Sequence, residues 1–383
     1  MENQNIKMLV VDDDPFVRDM LGMILQSNDY EVGTAGNGSE ALNKIDAGAF
    51  NLVVSDMNMP EMNGLELLKK LRDNSNDVPV IILTGNNEIS VAIEAMNSGA
   101  NDYLIKDENI QDTIIMSVRK VIEKHELKKK NIQLSAELAL KNARFEKELT
   151  LAQKVQKNIL PSKLDFKGFE IETFYRPSDK IGGDFFDAWE VGQTLHFLIG
   201  DVSGHGPSSA LIMAVCKGML QSLAYSIQHP NEIISTANRM LCDILSDSGM
   251  FLSLVYGIFD REKNELKVLS AGHNPVFLAE GGVVKTINAT GPVLGWDAND
   301  SWDIITCLFN NETNIFLYTD GLTEAKNNTG EEFGEERLLE LQKDMVSPQV
   351  LIDKVFKQVS DFCSGVFADD LTMLVIKRRQ DNG

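Results

Sequence analysis

Short apolar runs alternate with helix-length amphipathic stretches through the first third of the chain. Lys7 to Val11, Leu52 to Asp56, Val80 to Thr84 and Asp102 to Lys106 read as buried strands, with Gly64 to Asp73 and Ile89 to Ser98 as helices between them. The first run ends in Asp12-Asp13-Asp14-Pro15, and a proline there suits the opening turn of a helix. Strands that alternate with helices imply a parallel sheet covered on both faces, a doubly wound α/β domain whose working residues gather beyond the carboxyl ends of the strands. Asp12, Asp13, Asp56, Thr84 and Lys106 all fall at such ends.

From Asn109 the pattern changes to a long charged and apolar run that contains no glycine, and no proline before Pro161. Leu127, Leu134, Leu138, Phe145, Ala152, Val155 and Ile159 recur along it at helical intervals, with Asn131, Lys141 and Glu148 interrupting the seam. A lone helix of this length cannot cover its own apolar stripe, so a homodimeric coiled coil is expected. Lys128-Lys129-Lys130 sits among alternating Glu and Lys and reads as a solvated face, not a nucleic-acid or membrane patch.

Beyond Pro161 the chain becomes β-rich. Residues 169–175, 194–202, 251–260, 265–271, 315–318 and 371–377 are strand-like, and 208–226, 231–245 and 348–362 are helix-like. The order suits an α+β sandwich of sheets flanked by helices better than a second doubly wound sheet. The expected domains are therefore 1–124, a helical coiled-coil linker at 125–161, and 162–383.

Composition narrows the function. With 383 residues, 43% hydrophobic and 24% charged, the chain can bury real cores. No apolar run approaches the roughly 20 residues that cross a bilayer, and Met1 to Met8 lacks a basic start with an apolar core, so a cytoplasmic protein without membrane contact is expected. A formal net charge of -21 argues against nucleic acid as a partner and suits hard divalent cations. Cys216, Cys242, Cys307 and Cys363 are widely spaced and form no CxxC pair, which favours buried, reduced thiols over disulfides or zinc.

Three carboxylates gathered at Asp12, Asp13 and Asp56 would repel one another unless a cation such as Mg2+ neutralised them. One could then act as a nucleophile toward a phosphoryl group, with Lys106 compensating charge and the Thr84 hydroxyl bonding the new oxygens. Val10-Val-Asp-Asp13, Asp56-Met-Asn-Met-Pro-Glu-Met-Asn-Gly64, Thr84 and Asp102-Tyr-Leu-Ile-Lys106 follow in order and spacing, and residues 5 to about 122 thereby resemble the receiver domain of two-component response regulators. The resemblance implies a flavodoxin-like five-stranded parallel sheet. It makes Asp56 the phosphoacceptor, and Asp12, Asp13, Asp56 and the backbone carbonyl of Asn58 the Mg2+ ligands. Thr84 and Tyr103 become the switch pair, Lys106 the phosphate-contacting base, and a sensor histidine kinase the phosphodonor. Asp107 stands where the family has proline, which puts the usual cis peptide in doubt but removes no ligand, so a phosphorylatable receiver is expected.

Four acidic motifs mark the C-terminal part, each at a strand end or turn: Gly182-Gly183-Asp184, Gly200-Asp201-Val202-Ser203-Gly204-His205-Gly206, Thr319-Asp320-Gly321 and Asp369-Asp370-Leu371-Thr372. Glycines let the backbone approach a ligand closely, and carboxylates without cysteine or paired histidine favour Mg2+ or Mn2+ over zinc. Two such ions sharing one carboxylate can activate a water for in-line attack on phosphorus. From about Leu151-Ala-Gln-Lys-Val-Gln-Lys-Asn-Ile-Leu-Pro161 onward, these motifs together with Ala271-Gly-His-Asn-Pro275 and Leu317-Tyr-Thr-Asp-Gly-Leu-Thr-Glu-Ala325 resemble the PPM family of metal-dependent serine/threonine phosphatases, in its bacterial RsbU and SpoIIE branch.

By that resemblance Asp201 bridges two Mn2+ or Mg2+ ions, the Val202 carbonyl binds one, Asp184 serves the second metal, and Asp320 and Asp369 the first; these four acids are the expected catalytic set. Phe186 replaces a common tyrosine. His205 is a candidate general acid, Arg176 and Lys180 candidate phosphate-steering cations, His273 a structural residue, and Asp187 and Asp370 hydrogen-bonding supports. The family implies a phosphoserine or phosphothreonine substrate, a STAS-type anti-sigma-factor antagonist, and hence a role in sigma factor regulation. Two alternatives are a non-catalytic partner-binding output and a diguanylate cyclase. Gly182-Gly-Asp-Phe-Phe186 superficially resembles the cyclase signature but lacks its fourth-position acid.

Overall fold

A computed structural model describes residues 6–85, 89–311, 313–344 and 346–379, and of residues 89–91 the backbone alone. Met1 to Asn5, where most of the leader expectation rested, lies outside the described residues. The chain forms two compact units, 1–142 and 143–383.

The first unit is built from β1 (Lys7–Val11), α1 (Pro15–Gln26), β2 (Glu31–Ala35), α2 (Gly38–Ala47), β3 (Leu52–Asp56), α3 (Gly64–Asp73), β4 (Val80–Thr84), α4 (Ile89–Asn97), β5 (Asp102–Ile105) and the start of α5 (Ile110–Ile159). Its five strands run parallel in the order β2-β1-β3-β4-β5. Alternate residues feed opposite faces, as the two-residue period of a strand requires. Leu9, Val11, Val53, Val80 and Ile82 pack against Ala41, Ile45, Leu67, Leu68 and Leu71 of α2 and α3. Met8, Val10, Leu52, Val54, Ile81 and Leu83 pack against Leu21, Leu25, Ile110, Ile114, Val118 and Val121 of α1 and α5.

Local chemistry sets the helix starts. Asp14 accepts the Phe16 N–H at 2.8 Å with Pro15 in the first turn of α1, and Asn63 and Glu66 cap α3 reciprocally. Asp107, at the family's proline position, accepts the Asn109 N–H at 2.9 Å ahead of α5, and no peptide bond among the described residues is cis. β2 and α2 carried no apolar run to announce them: β2 is a half-buried edge strand with Gly33 and Thr34 at its centre.

Helix α5 spans 50 residues without a break, as the missing stop signals predicted. Leu127, Leu134, Leu138, Phe145 and Val155 of the expected seam are each more than half exposed in this single chain. Ile159 is a correction to that seam, because it packs into the core of the second unit.

The second unit continues through β6 (Phe169–Arg176), β7 (Phe185–Val191), β8 (Thr194–Val202), α6 (Pro207–Ala224), α7 (Pro230–Leu245), β9 (Leu252–Asp260), β10 (Glu265–Ala271), β11 (Val276–Glu280), β12 (Val283–Ile287), β13 (Ile305–Leu308), β14 (Asn314–Tyr318), α8 (Glu335–Leu341), α9 (Pro348–Phe362) and β15 (Leu371–Arg378). Two five-stranded antiparallel sheets, β13-β10-β9-β8-β7 and β12-β11-β14-β15-β6, form a sandwich. On β14 and β15, Ile315, Leu317, Leu374 and Ile376 join the core shared with the first sheet, while Phe316, Tyr318, Met373 and Val375 join the core beneath α9.

Strands β7 and β11 to β13 and helix α8 were not foreseen; β7 and β11 are short, almost wholly apolar runs whose period is hidden because both faces are buried. All four cysteines are free thiols, but Cys242 and Cys307 are only partly buried, against expectation, because each lies on an element with one face toward solvent. Among the described residues, no helix is long and apolar enough to cross a membrane.

Candidate functional site

In the first unit, strand ends bring Asp12, Asp13 and Asp56 together, with one oxygen of each within 4.8 Å of the others. Among the described residues this is the one such group of three. Lys106, just past β5, places Nζ 2.7 Å from both Asp12 Oδ2 and Asp56 Oδ1. Asp12 Oδ1 accepts the Asp14 N–H at 2.9 Å, which fixes the carboxylate's orientation.

Burial raises the Asp56 pKa, and the Lys106 hydrogen bond and charge offset only part of that. Burial also works against the Lys106 charge, yet its bonds to Asp12 and Asp56 prevail and its pKa is raised. Asp13 is exposed and free to turn toward a cation, and Asn58 follows in the loop after β3. The all-oxygen donor set fits a hard divalent ion. Thr84 is buried, its hydroxyl donating to the Leu104 carbonyl at 3.4 Å, whereas Tyr103 is 42% exposed, so in this state the two switch candidates sit in different surroundings.

In the second unit, Asp184 lies at the entry to β7 and Asp201 near the end of β8, while Asp320 and Asp369 sit in the turns after β14 and before β15. Asp184 is fully buried. Its Oδ2 accepts hydroxyl protons from Thr319 at 2.7 Å and from Thr372 at 2.5 Å. Thr319 and Thr372 also bind each other's backbone, Thr372 N–H to Thr319 Oγ1 at 3.0 Å and Thr319 N–H to the Thr372 carbonyl at 3.1 Å. Both lie inside the quoted motifs, but nothing in their spacing gave them this task.

Burial, followed by the Asp201 and Asp370 charges, pushes the Asp184 pKa well above the usual carboxylate range. Asp201 is pushed up to about 7 by burial and then by Asp320, against a lowering hydrogen bond with Asp184. Asp320 is pushed up to about 6 by burial and then by Asp369 and Glu324. A set of acids that destabilise one another's charge in a buried place fits cations as the missing compensation, and oxygen-only donors fit Mg2+ or Mn2+. Val202 is buried directly after Asp201, and Asp369 is exposed, its Oδ1 accepting the Asp370 N–H at 2.8 Å.

The supports take the positions expected of them. Asp370 Oδ1 accepts from Ser178 N–H at 2.8 Å and Ser178 Oγ at 2.9 Å, and Oδ2 accepts the Gly183 N–H at 2.8 Å. A Cβ on Gly182 would stand 1.9 Å from Asp370 Oδ2, and one on Gly321 2.0 Å from the Asp370 carbonyl, so both positions require glycine for close approach. Asp187 is paired with Lys217 of α6. His273 is buried, its Nδ1 2.7 Å from Ser253 Oγ and its pKa lowered by burial to about 4, which suits a structural residue. His205 is exposed in the turn between β8 and α6, and Lys180 pairs with Glu146 of α5.

The sequence profile of the response regulator receiver domain matches residues 8–118, and that of stage II sporulation protein E (SpoIIE) matches residues 192–379. The chain joins a receiver domain to a SpoIIE-type PPM phosphatase domain. Protein IcfG of Synechocystis sp. is 27% identical over 335 residues, covering 79% of this chain and 51% of its own. Phosphoserine phosphatase RsbU of Bacillus subtilis is 24% identical over 237 residues, covering 61% of this chain and 70% of its own. The chain thus spans about half the length of IcfG. The SiaA PP2C domain of Pseudomonas aeruginosa matches the fold with a TM-score of 0.56 at 20% identity, covering 62% of this chain and 98% of that domain. With the SpoIIE-type domain established, the cyclase alternative falls away.

Proposed function

We propose that the chain is a cytoplasmic response regulator whose output is a metal-dependent protein serine/threonine phosphatase. The observation that carries the reading is the buried carboxylate set Asp184, Asp201 and Asp320, in which Asp201 is pushed up to about 7: these acids hold their charge near neutral pH only beside cations. Two Mn2+ or Mg2+ ions, held by Asp184, Asp201, the Val202 carbonyl, Asp320 and Asp369, would supply charge neutralisation and an activated water for attack on a phosphoserine or phosphothreonine. The chain's own part is to fix Asp184 through Thr319 and Thr372 and to exclude water from the site's inner wall.

In the receiver, Asp56 accepts a phosphoryl group from a sensor histidine kinase, with Mg2+ held by Asp12, Asp13, Asp56 and the Asn58 carbonyl. Lys106 neutralises the new charge and Thr84 and Tyr103 respond to it. Residues 125–161 connect the domains and pair two copies as a coiled coil. The substrate is a phosphorylated antagonist of the STAS type, a reading supported by the likeness to RsbU. Incubating the protein with such a phosphoprotein and Mn2+ should release phosphate, at a rate altered by a small-molecule phosphodonor and lost in Asp201→Asn. Metal binding without phosphate release from any phosphoprotein would leave the partner-binding output instead.

A further inference from the structure

Helix α5 is fastened to the loop that carries Asp184. Gln156, 5% exposed near the helix end, donates its side-chain N–H to the Gly182 carbonyl at 2.7 Å and accepts the Gly182 N–H on Oε1 at 3.3 Å. Earlier on the same helix Glu146 pairs with Lys180 of the same loop. An amide that spends both its donor and its acceptor on one residue's backbone is matched to that backbone, and without it two buried peptide groups lose their partners.

The opposite side of the loop is held by Asp370 through Ser178 and Gly183, with no room beside Gly182 for a side chain. Residues 178–183 are therefore gripped between Asp370 and Gln156, and Asp184 follows immediately.

We infer that Gln156 is a positioning residue for the metal site: it sets the backbone of Gly182 and through it the carboxylate of Asp184, so that metal affinity depends on the last turns of α5. The inference rests on the phosphatase reading above. Groups that orient a ligand without touching the metal commonly govern affinity by 10- to 100-fold, because coordination tolerates little displacement of a donor. A rotation or withdrawal of the end of α5 is then felt at Asp184 through a single side-chain amide.

The test is a calorimetric Mn2+ titration of the full chain in an Asp13→Asn background, so that the receiver cluster adds no heat, alongside phosphate release at rising Mn2+. Gln156→Met keeps length and burial but removes both hydrogen bonds. It should weaken Mn2+ binding by about tenfold or more, with kcat at saturating Mn2+ close to wild type. Gln156→Glu, which keeps the acceptor and loses the donor, should shift in the same direction, and it decides the matter if Gln156→Met does not fold. Isotherms that superimpose on wild type, or lost activity that no Mn2+ restores, overturn the inference. Asp184→Asn separates the two readings: if it binds Mn2+ as wild type does, the metal-site assignment itself fails whatever Gln156 does.

Discussion

Lys106 Nζ stands 2.7 Å from Asp56 Oδ1, on a carboxylate that burial has raised above its ordinary pKa. The lysine is the cation that keeps Asp56 ionised when no metal is present. Lys106→Ala leaves Asp12 and Asp56 facing each other unpaired. It should lower stability by about 2 kcal/mol without Mg2+ and by less with it, since the ion takes over the compensation. Denaturant titrations with and without Mg2+ check this. Phosphorylation by acetyl phosphate should slow on the order of a hundredfold as a preorganised cation is lost, and an unchanged rate would remove Lys106 from the reaction.

Asp201, at about 7 in the fold against 3.8 unperturbed, should make the metal-free protein pH-sensitive in a definite direction. The folded state holds a proton that the unfolded chain has released, so stability is greatest below pH 4 and declines as the pH rises to about 7. Asp201→Asn removes the penalty: at pH 8 the metal-free variant should exceed wild type by about 2 kcal/mol while gaining nothing from Mn2+. Thermal melts over a pH series, with chelator or Mn2+, would show it. A variant that Mn2+ still stabilises fully would exclude Asp201 as a ligand.

His196 behaves in the opposite sense. Burial lowers its pKa to about 4, with Thr194 Oγ1 2.9 Å from Nε2 and the Tyr256 hydroxyl 2.7 Å from Nδ1. The neutral ring contributes stability above the unfolded value near 6.5, and that contribution is lost as the pH falls toward 4. Between pH 6.5 and pH 5 wild type should lose about 2 kcal/mol more than His196→Gln. Parallel pH profiles of the two proteins would contradict it.

The exposed seam of α5 gives a fourth expectation. Leu134 and Leu138 are 54% and 59% exposed, surface that a second copy would bury. Leu134→Glu with Leu138→Glu should convert a dimer to a monomer in sedimentation measurements, without loss of either folded unit. A monomeric wild type would overturn the coiled coil. If Asn131 and Lys141 weaken the seam so that it can shift, replacing both by leucine should tighten the dimer and blunt the response to Asp56 phosphorylation.

Much was legible in the chain alone. The parallel sheet could be read because β1, β3 and β4 are continuous apolar runs, and their carboxyl ends named Asp12, Asp56, Thr84 and Lys106. The unbroken α5 followed from the absence of glycine and proline. Motif order marked Asp184, Asp201, Asp320 and Asp369, since an acid beside a turn is a local signal even when its partners lie far along the chain.

Tertiary structure alone decided what those acids experience. The raised carboxyls of Asp184 and Asp201 come from burial and from neighbours more than a hundred residues away, an environment that no local pattern encodes. The hydroxyls of Thr319 and Thr372 converge on Asp184 because β14 and β15 are neighbours in one sheet. Gln156 gave no signal at all: a glutamine on a charged helix is ordinary in sequence, and only the fold places its amide against Gly182.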